Sequence, residues 1–216
     1  MIGALWRLQW KSARVWILAG AFAAGLLPVV SVSQSWPSGE RELAQFLAQL
    51  DVWSLFYPAL AVGLGLIMAA VVGRDDRRGA FVYAYTLPID RRRYAAMRLL
   101  VGLLALIGVG VALWVAALAT VAVAPVPATL SAYPGLLAIK FTLLALIAFA
   151  LGAAIAGIPA AGRRWLARGV ALALAAQAVL LLLGLEVNFV RPVAEALVSR
   201  YGPFGLVAGR WMLIDV

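Results

Sequence analysis

The sequence predicts an all-α fold: a polytopic transmembrane helical bundle with five full spans, a short or incomplete sixth, and an in-plane amphipathic helix at the N-terminal end. Three observations carry this. Of the 216 residues, 65% are hydrophobic and only 12% are charged, against roughly a half and a quarter in soluble domains. The apolar residues fall in long runs without charge, and the Lys and Arg residues gather in short segments between those runs. Such a chain could not cover itself with polar surface in water, and hydrocarbon is the solvent that suits it. Residues 1–216 are read as one integral membrane domain.

The elements follow in order. In residues 1–14, Ile2, Leu5, Trp6, Gln9 and Trp10 fall near one helical face, and Arg7, Lys11 and Arg14 near the other. Tryptophans opposite cations suit a helix lying in the membrane plane, and this is preferred to a plain extension of the first span. Residues 15–32 are 18 in number and uncharged, and they make span one. The run is too long for a signal-peptide core and more spans follow, so no cleavable signal is expected. Residues 33–51 form an outer loop with a short helix near 40–50, where Leu43, Phe46, Leu47 and Leu50 make a stripe. Residues 52–73 make span two.

The uncharged run 99–139 is too long for one crossing. Pro125, Pro127 and Pro134 divide it, giving span three at 99–123 and span four at 136–159. Lys140 lies close to the outer end of span four and is read as an anchor that snorkels outward, not as a transport residue. Span five is placed at 167–185. Each run approaches the roughly 20 apolar residues a crossing needs, and helix is required because backbone groups in lipid must pair within the segment. Residues 186–200 read as an external amphipathic segment, and Gly202, Pro203 and Gly205 interrupt the chain after it. Residues 206–216 are mostly apolar, but eleven residues reach only about 16 Å as a helix. The sixth span is therefore started and not completed.

Orientation follows from the basic residues. Arg7, Lys11 and Arg14 precede span one. Arg74, Arg77, Arg78, Arg91, Arg92, Arg93 and Arg98 lie between spans two and three, and Arg163, Arg164 and Arg168 follow span four. These three regions hold 13 of the 18 Lys and Arg residues, so they are placed in the cytoplasm. The expected location is the inner (cytoplasmic) membrane, multi-pass, with the N-terminus inside. Because the net charge of +9 is confined to such segments, no nucleic-acid partner is expected.

Function is sought in the loop between spans two and three. Its centre carries Phe81, Tyr83, Tyr85, Leu87 and Ile89, and its flanks carry Asp75, Asp76, Arg77, Arg78, Asp90 and Arg91. A solvated loop has little use for so many aromatics, whereas a short helix docking into a partner's groove uses them as anchors. Pro88 ends that helix and Asp90 is placed to cap the next. The plainer reading, arginines that only hold topology, is compatible with it.

Asp75 or Asp76, then Gly79, then Leu87-Pro88-Ile89-Asp90-Arg91, then Arg98 at the start of a span, resembles the corresponding loop of ABC-2 type transporter permeases. There the pattern is an acidic residue, a glycine, a Leu-Pro-(Ile/Val)-(Ser/Thr/Asp)-Arg run and a further basic residue. The in-plane N-terminal helix resembles that family's connecting helix, and the likeness covers about residues 1–185. It implies the membrane-spanning subunit of an exporter, coupled through 74–92 to a separate ATPase subunit that holds ATP and Mg. It also implies pairing with a second copy or a homologous permease, and a possible second contact at Arg163, Arg164 and Arg168. The family has six spans, and the incomplete sixth departs from this.

This chain is expected to bind no cofactor and to catalyse no reaction. It has no cysteine or histidine, which removes thiolate chemistry, most zinc and haem sites and the usual proton shuttle. It has no Gly-x-x-x-x-Gly-Lys-(Ser/Thr) phosphate loop. Asp75-Asp76 is read as loop electrostatics, not a metal site. Within the spans, Thr120, Thr142 and Gln177 are polar, and Gln177 is read as a helix contact or a pathway residue. Gly152, Ala153, Ala156 and Gly157 suit close helix approach. The alternative function is a non-transporting membrane scaffold or assembly subunit of a larger complex.

Overall fold

The computed structural model describes residues 2–33, 54–77, 91–123 and 131–183, and residues 192, 195–197, 199, 202, 204–205, 209, 211 and 213–215. Five long helices account for most of these: α1 (Ile2–Ser33), α2 (Phe56–Arg77), α3 (Arg91–Val123), α4 (Pro134–Gly157) and α5 (Ala160–Leu182). Two short strands, β1 (Ser131–Ala132) and β2 (Ile214–Asp215), pair antiparallel. Four of the helices are long and apolar enough to cross a membrane, over Ala13–Val32, Phe56–Gly73, Arg92–Val123 and Pro134–Gly157.

Two compact units divide the chain: residues 1–153 with 209–216, and residues 154–208. Within the first unit, side-chain contacts define the direction of each helix. Gly20 of α1 lies against Leu64 of α2, and Ser31 against Tyr57, so these two helices run antiparallel. Gly65 of α2 meets Ala145, Ala148 and Phe149 of α4, and Gly152 meets Leu66 and Ala69. Positions rise together, so α2 and α4 are parallel. Gly102 and Gly110 of α3 meet Phe149 and Thr142, which makes α3 antiparallel to α4. The four helices thus alternate, and the N-terminal ends of α1 and α3 lie at the same end of the bundle as the C-terminal end of α2. This is the alternation that the basic residues predict.

A close backbone approach is at Gly65. A Cβ there would overlap the carbonyl oxygen of Ala145 and stand 2.7 Å from Ala148 Cβ and 2.9 Å from Phe149 N. Two of those atoms are backbone and cannot swing away. Helices in lipid gain no hydrophobic energy from meeting one another, so they adhere through such close packing. Around this seam Leu106, Leu113, Phe141, Ala145 and Phe149 are buried. Gly152 joins the seam as its composition suggested, whereas a Cβ on Gly157 would meet nothing.

Several expectations are revised. The in-plane helix expected at 1–14 is not separated from span one: Ile2–Ser33 is one continuous helix of 32 residues. No proline or glycine stands between Ala4 and Val15 to stop it. Side chains are described from Trp10 onward, with Ser12 outside the described set, so the two faces assigned to residues 1–9 lie outside it too. Span three begins earlier than residue 99, at Arg91. Span four ends at Gly157, because Pro159 disfavours helix at Ile158.

The fifth expected span, 167–185, corresponds to α5, a helix of 23 residues. Arg163, Arg164 and Arg168 occupy its first turns, leaving a stretch without charge of about 21 Å over residues 169–182. It is not among the four candidate spans. The partial sixth span expected in 206–216 is not found among the described residues. Trp211 and Leu213 are not helical, and Ile214 and Asp215 form β2. The outer-loop helix near 40–50 lies outside the described residues.

The packing predicts opposite results at two neighbouring glycines. Gly65→Leu forces α2 from α4 and costs about 3 kcal/mol or more. Gly63→Ala, where a Cβ meets nothing within 4 Å, is neutral or gains up to about 1 kcal/mol of helix propensity. Thermal unfolding in detergent micelles, read against the unsubstituted chain, checks both.

Candidate functional site

The described ends of the predicted contact segment lie at one end of the first unit. Arg74, Asp75, Asp76 and Arg77 form the last turn of α2, and α3 starts at Arg91, one residue after the Asp90 expected to cap it. Arg78, Gly79, Phe81, Tyr83, Tyr85, Leu87, Pro88, Ile89 and Asp90 lie outside the described residues. Both ends of this segment therefore leave the bundle at the same end, where α1 begins.

Arg92 and Arg93 are exposed in the first turn of α3. Three arginines at a helix N-terminus oppose the helix dipole, a cost of some tenths of a kcal/mol each, so helix stability does not explain them. Positive charge on one side of a membrane does. Lys11 and Arg14 of α1 are exposed as well, with Trp10 and Trp16 partly so. That mix of cations and indoles suits an interface belt.

Arg98 differs from these, being 5% exposed within α3. Its guanidinium lies 5.5 Å from the ring centroid of Tyr94, one turn nearer the helix start. Helical side chains lean toward the N-terminus, so the charge is drawn back toward the arginine end and over an aromatic face. The sequence placed Arg98 at the start of a span without signalling its burial.

In the second unit, Arg163 donates from Nη1 to the carbonyl of Ala156 at 2.8 Å. This satisfies one of the orphan carbonyls at the end of α4. Arg168 lies 5.4 Å from the Trp165 ring centroid, and Arg164 is exposed. Of the three residues expected as a second contact, Arg163 thus has a structural task and Arg164 faces outward. Gln177 is 7% exposed, while the residues beside it on α5 are exposed. A buried amide in an apolar setting is costly unless paired, so its burial marks the one inward position on that stretch.

The opposite end of the first unit is polar in another way. Ser31 donates to the carbonyl of Pro28 at 2.9 Å and stands 3.5 Å from the Tyr57 hydroxyl, both side chains being buried. The single Ser31 proton is engaged, so Tyr57 is the donor of the longer contact. This pair was not singled out from the sequence, where Tyr57 reads as one more aromatic in an apolar run. Thr120 and Thr142 donate to the carbonyls of Ala116 and Ala138, both at 2.8 Å. The single proton of each hydroxyl is thereby engaged within its own helix.

Among the described residues, no three His, Cys, Asp or Glu side chains come together as a metal site would need. No protein-family model, curated protein or solved structure matches this chain. The fold alone defines the class, which is a helical membrane protein built around four helices able to span a bilayer.

Because the chain has no cysteine, single cysteines report sidedness without background. Ser131→Cys is expected to react with a membrane-impermeant maleimide added to intact cells. Arg92→Cys is expected to react only after the cells are opened. Labelling of Arg92→Cys from outside would reverse the orientation.

Proposed function

We propose that this chain is the permease subunit of an ABC-type exporter in the inner membrane, with its N-terminus in the cytoplasm. It is coupled through residues 74–92 to a separate ATPase subunit. One observation carries the reading. The connection between α2 and α3 leaves the bundle at the arginine end, and its central residues are aromatic and apolar within a charged frame. Lipid-facing residues need no such frame, and a solvated linker needs no such centre. A groove on a partner protein uses both.

The mechanism follows from how α2 and α3 are held. A segment gripped by an ATPase is drawn as the ATPase closes on ATP and Mg. It acts on the last turn of α2 and the first of α3. The backbone contact at Gly65 makes α2 and α4 move as a pair, so the pull tilts two spans at once. A second copy, or a homologous permease, completes the pathway. Arg164 and Arg168 offer a second contact. Few charges stand within the spans, which suits an apolar or amphipathic substrate over an ion.

A second reading is a non-transporting membrane scaffold or assembly subunit. The pairing of Ile214–Asp215 with Ser131–Ala132, where a permease would have a sixth span, favours it.

Leu87→Asp and Phe81→Asp are expected to leave insertion intact while separating ATP hydrolysis from transport. In the purified complex, ATPase activity persists and substrate movement falls by about tenfold or more, as loss of an anchor worth at least ~1.4 kcal/mol implies. Normal coupling in both variants overturns the permease reading. Purification in mild detergent that brings down another membrane complex and no ATPase supports the scaffold.

A further inference from the structure

The segment expected to begin a sixth crossing has a different task. Ile214 and Asp215 pair with Ala132 and Ser131, and Leu213 accepts a hydrogen bond from the Tyr133 amide at 2.9 Å. These partners immediately precede α4, at the end of the first unit away from Lys11, Arg14, Arg92 and Arg93. Trp211, Leu213 and Ile214 are buried, at 7%, 1% and 0% exposure. Gly209 has φ +94°, and a Cβ on it would lie 3.7 Å from Lys140 Nζ. Lys140 leans toward the start of α4, as helical side chains do, which brings its ammonium to the same end.

We propose that Gly209, Trp211, Leu213, Ile214 and Asp215 form a clasp. It closes the end of the first unit opposite the arginines by fastening Ser131–Tyr133, the residues that lead into α4, and it lets go when that end opens. The strength of the attachment suits release. The ladder is two residue pairs long with one flanking hydrogen bond, and the remaining hold comes from three apolar side chains wedged out of water. Short strands of this kind are not stable alone; they persist because the helix ends present a surface to sit on. Gly209 sets the path, since a positive φ turns the chain there at no steric cost, whereas a β-branched residue would be strained.

The cysteine-free chain makes the test direct. Ser131→Cys with Asp215→Cys, oxidised in native membranes, is expected to give an intramolecular disulfide. Gly209→Val added to this pair is expected to lower the yield about fivefold or more through backbone strain. Separately, Leu137→Cys in α4, 2% exposed in the closed arrangement, is expected to react slowly with an impermeant maleimide from the outside. Its reaction should speed up severalfold when Gly209→Val or Ile214→Asp is added. Failure of the Ser131→Cys and Asp215→Cys pair to cross-link overturns the clasp, as does equal labelling of Leu137→Cys with and without the clasp variants. Neither readout involves an ATPase or a substrate, so the clasp and the permease reading fail independently.

Discussion

The first unit depends on close backbone approach between helices, and Gly65 between α2 and α4 is one place where it is achieved. In water, the hydrophobic effect would drive helices together and leave side chains to settle the details. In hydrocarbon that drive is absent between helices, because lipid tails are as apolar as leucine. Adhesion must come from many short contacts, and these form only where a backbone can come near. Gly65 sets its own backbone against Ala145 and Phe149, and Gly152 repeats the approach one to two turns on. Once α2 and α4 are joined, Phe149 is placed to fill the space against Gly102 of α3, and Thr142 the space against Gly110. The parallel sense of α2 and α4 shows in this seam, and the contacts of α1 with α2 and of α3 with α4 complete the alternation.

The same solvent constrains the polar groups. Thr120 and Thr142 turn their hydroxyls onto carbonyls four residues back, and Ser31 turns its own onto Pro28. Each does so because no water is there to serve instead. Arg98 meets the constraint in another way, its guanidinium lying 5.5 Å from the Tyr94 ring centroid, one turn nearer the arginine end. Charges that need no such arrangement, Lys11, Arg14, Arg92 and Arg93, are exposed at one end. The bundle thus has an apolar middle in which polarity is folded inward, and one end where cations accumulate against the helix dipole.

Much of this is legible in the sequence, and the exceptions have physical causes. Uncharged runs locate α1 to α4 because the bilayer imposes a length, and the arginines locate their ends because charge is expensive to bury. Boundaries set by chain stiffness were less legible. The helix at Ile2–Ser33 runs on through Arg14 because nothing in Lys11-Ser12-Ala13-Arg14 breaks it, although composition changes there. Helix α5 shows the reverse case. Its apolar stretch looks like a crossing, but Arg163, Arg164 and Arg168 occupy the turns that would lengthen it. Of the candidate contact residues, the sequence could assign Arg163, Arg164 and Arg168 only as a group. Separating Arg163, which holds the Ala156 carbonyl, from Arg164, which is exposed, needed coordinates.

The segment 206–216 shows where apolar content misleads. Read by hydropathy, Leu206, Val207, Ala208, Trp211, Met212, Leu213 and Ile214 begin a helix that stops halfway across. An apolar stretch that is not helical must pair its backbone carbonyls and amides elsewhere, because each one left unpaired in hydrocarbon costs several kcal/mol. The structure meets this demand by having Ile214 and Asp215 share their backbone groups with Ser131 and Ala132, and Leu213 share its carbonyl with Tyr133. Proline at the start of α4 has no N–H to offer, so the ladder ends where the helix begins. Trp211, Leu213 and Ile214 are then buried beside the start of α4, a use for apolar side chains other than crossing a membrane. A sixth span and a clasp make the same hydropathy trace; only the unpaired backbone of the former distinguishes them on physical grounds.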